Sequence, residues 1–204
     1  MNKLQLFAAI SIIGFSTYSC NTKPPKSNDT NNTNTEKTSV DSVQKIDNDL
    51  IMQSALNGEI EIVKDALNKG FNVNFTDVNK RTPLMLAAYN GHNEIVKLLI
   101  TNNADVNLTD TIHRTALMFA STGPFVPTVL TLLQSGAKPN MVDNEEKWTA
   151  AMMASSEGQL EVLKVLVEHG ADLKMVDIDG ESSLDFAKSN KHTAVYDYIT
   201  TQIK

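Results

Sequence analysis

Apolar and polar positions repeat along this chain at intervals of 33 or 34 residues, from Asp49 to Lys204. One column of equivalent positions holds Met52, Met85, Met118 and Met152. A second column holds Asp77, Asp110, Asp143 and Asp177. Self-similarity at a period of roughly 20 to 50 residues is typical of stacked supersecondary units. The pattern therefore predicts about five repeated units.

Within one unit the pattern predicts two helices. Pro83 suits a first helical turn, where its missing N–H is not needed, and Thr82 before it suits the N-cap. The first helix carries a small apolar face, made by Leu84, Ala87 and Ala88. Gly91 ends this helix, and the second helix carries one apolar stripe, made by Ile95, Val96, Leu98 and Leu99. Neither stripe can be buried within one unit, so we expect neighbouring units to stack.

The most complete unit reads RTPLMLAAYNGHNEIVKLL from Arg81 to Leu99, followed by ADVN from Ala104 to Asn107. This sequence resembles the ankyrin repeat, and the resemblance extends over about three quarters of the chain. It implies an all-α repeat fold, an ankyrin solenoid of about five helix-loop-helix units with projecting β-hairpin or turn fingers. Segments such as 72–77 would form the extended arms of those fingers. The expected units are approximately 46–78, 79–111, 112–145, 146–178 and 179–204.

Some positions depart from the repeat. The first and last units look like caps, with Lys191 in place of the inter-helix glycine of the last one. In the third unit Pro124 takes the place of Gly91, and Phe125 follows it, so we expect a distorted and apolar loop. Three turn positions that commonly hold glycine in the family hold Lys80, His113 and Lys147, whereas Gly180 keeps it. We therefore expect a different backbone geometry at those three turns.

The N-terminus predicts export and a lipid anchor. An apolar run from Leu4 to Phe15 follows Lys3, as in a secretory signal. Cys20 follows Ser19 in a segment that resembles a bacterial lipoprotein processing site, although Thr17 stands where leucine is usual. The prediction is a signal peptide at 1–19, lipidation of Cys20, and an Asn/Thr/Ser-rich disordered tether at 20–45 before the array at 46–204. The alternative is a soluble secreted protein with a free thiol.

Charge limits the choice of partner. The formal net charge is −6, and removal of residues 1–19 would make it −7. This balance argues against nucleic acid or anionic lipid as the partner. Cys20 is the only cysteine, so the chain can form no internal disulfide, and its stability must come from packing.

The sequence contains little that predicts catalysis. The histidines are scattered without metal-ligand spacing, and His92 matches a residue common in ankyrin repeats, so we interpret it as structural. The repeated aspartates are interpreted as turn formers rather than paired acids, because stacked units hold equivalent residues about 10 Å apart. The methionine column is interpreted as packing rather than a Cu(I) ladder. We expect no enzyme activity, no cofactor, no metal and no small-molecule substrate.

With little to predict catalysis, the sequence favours binding of a partner at the protein surface. Arg81, Arg114 and Trp148 share one column, and the family resemblance places that column beside the turn tips, where partners commonly bind. Arg and Trp are enriched in interface hot spots. The alternative is that they are ordinary family residues at this position. Other candidate partner-binding residues lie in the turns or before the inter-helix loops: Lys80, His113, Tyr89 and Asn90.

The leading hypothesis is a non-catalytic adaptor, tethered by lipid to the bacterial cell envelope, facing the periplasm or in the outer membrane. It would bind a protein partner through finger tips and the concave helix face. One alternative is an inhibitor or immunity protein against an envelope-acting toxin. Another is an accessory factor for a periplasmic enzyme, for example in oxidative stress. A structural role, with Phe125 and Val126 as a self-association patch, is also open.

Overall fold

The helices between residues 47 and 203 form five consecutive pairs. The structure, a computed structural model, describes residues 47–203, and residues Lys45–Lys204 form one compact unit. The predicted signal peptide, Cys20 and tether lie outside the described residues. The first helices of the pairs are α1 (Asn48–Asn57), α3 (Pro83–Tyr89), α5 (Ala116–Ala120), α7 (Ala150–Ser156) and α9 (Ser183–Ser189). The second helices are α2 (Ile60–Asn68), α4 (Asn93–Thr101), α6 (Val126–Gln134), α8 (Leu160–Glu168) and α10 (Thr193–Gln202).

Between residues 47 and 203 the chain forms no strand, and one isolated antiparallel bridge joins Val176 to Ser182. The expected all-α array is confirmed, and the segments that project between pairs are turns rather than paired strands. No helix in this part of the chain combines the length and apolar character that crossing a bilayer requires.

Threonine caps begin three of the first helices, as the sequence predicts. Thr82 Oγ1 accepts a hydrogen bond from Met85 N at 3.2 Å, and the Met85 sulfur accepts one from Thr82 N at 3.5 Å. The same reciprocal cap joins Thr115 to Met118 and Thr149 to Met152. The methionine column is buried, which confirms its packing role, and three of its thioethers also complete a helix cap.

Burial follows the predicted stripes, except that Leu98 in α4 is only half-buried. In α4 the buried residues are Ile95, Val96 and Leu99. The corresponding residues of α8, Val162, Leu163 and Leu166, are buried in the same way. The first helices α3, α5 and α7 are buried along their length except for Tyr89, because each packs between two neighbouring units. The core is therefore continuous along the array.

The third unit departs from the repeat near Pro124, as the sequence predicts, and its first helix, α5, has only five residues. The half-buried Phe125 ring lies against two glycines. A Cβ on Gly91 would lie 2.2 Å from Phe125 Cδ1, and one on Gly123 would lie 2.3 Å from Phe125 Cε2. This ring therefore fills space between units two and three, which leaves little of it for the self-association patch considered above.

The prediction of altered turn geometry at three positions is wrong. Lys80, His113 and Lys147 have φ angles of 58°, 65° and 61°, in the same left-handed region as Gly180 at 81°. These three residues therefore adopt a strained backbone conformation that glycine would adopt without strain. The turn keeps its geometry because an aspartate at its start holds the backbone, as described next.

Candidate protein-interaction surface

Four projecting turns, here called fingers 1 to 4, each begin at a residue of the aspartate column. They comprise residues 77–81, 110–114, 143–148 and 177–181. In finger 2, Asp110 Oδ1 accepts hydrogen bonds from Ile112 N at 3.0 Å and Arg114 N at 2.8 Å. Asp77, Asp143 and Asp177 bind their own turns in the same manner. The interpretation of these aspartates as turn formers is confirmed. We call the first and last residue of each finger its base and the residues between them its tip.

The two arginines belong to finger bases. Arg114 Nε and Nη2 donate to Asp110 Oδ2 at 2.9 and 2.8 Å, and its guanidinium lies 4.7 Å from the centre of the Phe119 ring. Arg114 is 9% exposed and Asp110 is 2% exposed. Arg81 makes the same fork with Asp77, at 2.8 and 2.7 Å, but nearer to solvent. Both arginines hold a finger in place.

Trp148, the third member of that column, is 2% exposed, and its ring centroid lies 4.5 Å from that of Phe186 in the next unit. The expectation that Arg81, Arg114 and Trp148 form an exposed row is therefore corrected. Each of the three stands directly before an N-cap threonine, and this position packs at the base of a finger. Only Arg81 retains substantial exposure.

Neighbouring fingers are joined by backbone hydrogen bonds. Thr111 N donates to Asn79 O at 3.0 Å, Asn144 N to Ile112 O at 3.0 Å, and Ile178 N to Glu146 O at 3.1 Å. Each tip is therefore fixed to the next by its main chain, independently of its side chains.

A column of asparagines, which the sequence interpretation passed over, joins the arms of successive units. Asn107 Nδ2 donates to Gly136 O at 3.0 Å, and its Oδ1 accepts from Lys138 N at 3.0 Å. Asn74 and Asn140 bridge their neighbouring units in the same way. We call these hydrogen bonds between units the asparagine ladder. The repetition of asparagine at 74, 107 and 140 is a sequence signal that could have revealed it.

The tips carry exposed side chains, among them the predicted contacts Lys80 and His113. Val78 in finger 1 is 94% exposed, and Ile178 at the equivalent position of finger 4 is 53% exposed. Fingers 3 and 4 are acidic. Carboxylate oxygens of Glu146, Asp177 and Asp179 lie within 4.8 Å of one another, close enough to share a cation, while Asp177 also binds its own turn.

The two remaining candidates have different environments. Tyr89 is 37% exposed, and its ring meets the Phe119 ring edge-on at 6.0 Å. Asn90 Nδ2 donates to Leu56 O at 2.7 Å, and His92 Nε2 lies 3.0 Å from the same oxygen, so that this nitrogen carries a proton. Asn90 and His92 thus join units one and two, which confirms the structural interpretation of His92.

The same pair of contacts, here called the clamp, recurs between units four and five. There Asn190 Nδ2 and His192 Nε2 each lie 2.9 Å from Ser156 O. Burial beside this clamp raises the pKa of Glu157, and the charge of His192 opposes that rise. At the N-cap of α9 the Ser182 hydroxyl and backbone N–H donate to Asp185, at 2.6 and 2.9 Å, and these bonds lower the pKa of that carboxyl.

Comparison with known proteins agrees with this architecture. A segment of 49 residues is 43% identical to part of an L-asparaginase from Dirofilaria immitis, covering 24% of this chain and 8% of that protein. The similar segment is shorter than two repeat periods. A family model described as ankyrin repeats in three copies matches residues 51–143 and 125–203, which include most of the ten described helices. The chain belongs to the ankyrin repeat family.

Proposed function

We propose that this chain is a non-catalytic protein-binding module whose contact surface is formed by the finger tips together with Tyr89. One observation carries the proposal: the tips expose Lys80, His113 and Val78 on turns whose backbone is fixed by aspartate and by the neighbouring finger. Ankyrin repeats suggest protein–protein interaction as the kind of work.

Rigidity is the physical advantage of this surface. Binding costs free energy when loops and side chains must be ordered on contact. Here the turn is already held by Asp77 Oδ1 in finger 1 and by Asp110 Oδ1 in finger 2. A partner therefore meets a fixed backbone and only has to order the tip side chains.

The proposal also includes attachment to the bacterial cell envelope. The sequence of residues 1–20 supports it, with an apolar run followed by a single cysteine. Lipid on Cys20 would provide a stable anchor when two or more acyl chains are attached. Replacement Cys20→Ser should move the protein from the membrane fraction to the soluble fraction and abolish labelling with a palmitate analogue. Unchanged fractionation and labelling would reject the anchor.

Crosslinking in intact cells tests the binding surface. The full chain is compared with a tip variant carrying Lys80→Glu, His113→Glu and Tyr89→Ala. The control variant carries Lys64→Glu, an exposed position in α2 that belongs to none of the fingers. We expect the wild type and the control to capture the same protein and the tip variant to lose it. Equal capture by all three would contradict the assignment of the surface.

A further inference from the structure

The finger tips form a row with a fixed order. Three backbone hydrogen bonds connect finger 1 to finger 2, finger 2 to finger 3 and finger 3 to finger 4. We call the residues of the four tips, 78–80, 111–113, 144–147 and 178–180, the tip row. Because the main chain fixes its register, the chemical order of the tip row is a property of the folded protein.

The tip row would be complementary to a second copy of itself running in the opposite direction. The first residue of the tip is apolar at the two ends of the row, Val78 and Ile178, and polar in the middle, Thr111 and Asn144. Charge changes sign along the row as well. Lys80 in finger 1 is cationic, whereas Asp179 in finger 4 is anionic, and both are exposed.

The middle of the row follows the same order, although less strongly. Finger 2 carries His113 and no acidic residue in its tip. Finger 3 carries Glu145 and Glu146 with one cation, Lys147, so its tip has a formal charge of −1. Below finger 2 the Asp110 carboxylate is neutralised by Arg114. The half of the row nearer the N-terminus is thus cationic to neutral, and the other half is anionic.

We propose that the partner of the tip row is a second copy of this chain, bound in antiparallel orientation about a twofold axis between fingers 2 and 3. The axis places finger 1 of each copy against finger 4 of the other, so that Val78 meets Ile178 and Lys80 meets Asp179. His113 meets Glu145. Such an interface is isologous, since each contact occurs twice. This inference rests on the proposed function and names its partner.

The dimer is expected to be weak. A row of four turns is a small contact surface, and small interfaces below about 1,200 Å² are typical of transient complexes. Each copy also carries a formal net charge of −6, so long-range repulsion opposes the local charge pairs. Attachment to one membrane would raise the local concentration and offset this weakness.

Charge reversal in sedimentation equilibrium tests the geometry. The fragment 45–204, which forms a compact unit, is measured from about 1 to 500 µM, the range of transient complexes. Lys80→Glu places two like-charged pairs in the antiparallel dimer, and Asp179→Lys does the same with opposite sign. We expect each variant to raise Kd at least tenfold. An equimolar mixture of the two restores both pairs and should return Kd to within about threefold of the wild type.

Several results would overturn the proposal. They are a wild-type fragment that stays monomeric throughout, reversals that leave Kd unchanged, and a mixture no tighter than its components. Far-UV circular dichroism of each variant separates loss of pairing from loss of folding. Lys64→Glu, outside the fingers, is the control and should leave Kd unchanged.

The full chain provides a second readout in cells. A chain carrying Val78→Cys and Ile178→Cys should form disulfide-linked dimers, and each single replacement should not. A monomeric fragment together with tip-dependent capture of a different protein would reject the second copy and leave the proposed binding surface standing. Absence of any tip-dependent capture would reject both.

Discussion

The base and the tip of a finger are adjacent in sequence and opposite in environment. His113 is exposed in its tip, whereas Arg114, the next residue, is bound to Asp110 and stacked on Phe119. Lys147 is exposed, whereas Trp148 is among the most buried large side chains of the described residues. A shift of one residue therefore separates a side chain that stabilises the array from one that can meet a partner.

The difference shows that residue type alone is a poor guide to a repeat surface. Arg and Trp are enriched in hot spots because they combine area with polar groups, and the same properties suit a base that must pack and bind aspartate. What decides between the two roles is the position relative to the N-cap. The residue directly before Thr115 or Thr149 packs inward, and the residue one place earlier is held outward by a left-handed turn.

The largest expected effect on stability is at Trp148, a buried base residue of finger 3. Trp148→Ala should reduce the free energy of unfolding by about 3–5 kcal/mol, because it removes a buried ring packed on Phe186. Lys147→Gln, one residue earlier in the exposed tip, should change it by less than about 0.5 kcal/mol. Equilibrium urea unfolding followed by circular dichroism measures both. Similar midpoints for the two variants would remove the distinction between base and tip.

The second effect compares the two arginine bases. Arg114→Ala should cost about 3 kcal/mol, because it leaves the buried Asp110 carboxylate without its cation. Arg81→Ala should cost about 1 kcal/mol or less, since its pair with Asp77 is partly exposed and screened by water. The same urea titration provides both values. Equal losses would show that burial does not control the strength of these pairs.

A third test concerns the arms that lead to the fingers. Asn107→Ala removes two hydrogen bonds between neighbouring units, and each such bond contributes about 0.5–1.5 kcal/mol. We expect a loss of about 1–3 kcal/mol. Asn102→Ala in the same unit is a suitable control, because its side chain bonds only within its own helix segment, to Leu98 O. A larger effect at Asn102 than at Asn107 would argue against the ladder.

A fourth test acts on the tips. Lys80→Gly and His113→Gly relieve a left-handed conformation that costs about 1–2 kcal/mol, and they increase the entropy of the unfolded chain by slightly less. The net gain in stability should be up to about 1 kcal/mol, while Lys80→Gly should also weaken pairing of the tip row. Thermal unfolding and sedimentation measure the two effects. Reduced stability would indicate that these side chains support the turn.

The smallest effect lies outside the fingers. Burial raises the pKa of Glu157, so its charged form destabilises the folded state at neutral pH, and this penalty disappears as the pH falls through the raised pKa and below the usual carboxyl value. Glu157→Gln should therefore stabilise the protein at pH 7 and have little effect at pH 4. Melting temperatures at the two pH values test it. An equal rise in melting temperature at pH 7 and pH 4 would show that the charge of Glu157 is not the cause of the destabilisation.

Much of the fold could be predicted because its causes are local. Thr82 and Pro83 specify a helix start through cap chemistry. The apolar spacing of the second helix specifies its buried face, although the predicted stripe also included Leu98, which is only half-buried. The role of Asp110 in its turn is also local, since its carboxylate bonds backbone groups two and four residues later. The contacts between successive units confirm that these elements stack in chain order.

What could not be predicted depends on contacts between units. The burial of Trp148 is decided by Phe186, 38 positions later, and the place of Phe125 is decided by Gly91 in the preceding unit. The left-handed turn at Lys80 contradicts residue preference, because the hydrogen bonds of Asp77 and the neighbouring finger outweigh the strain at one residue. The sequence pattern of one repeat unit contains no information about these contacts between units.

The most direct test of the account is equilibrium urea unfolding of two multiple variants, followed by circular dichroism at 222 nm. One carries Arg81→Ala, Arg114→Ala and Trp148→Ala, and the other carries Lys80→Glu and His113→Glu. The account predicts that the base variant loses most or all of its cooperative transition, while the tip variant unfolds within about 1 kcal/mol of the wild type. A base variant that unfolds like the wild type would contradict the account, because those three residues would then not stabilise the array.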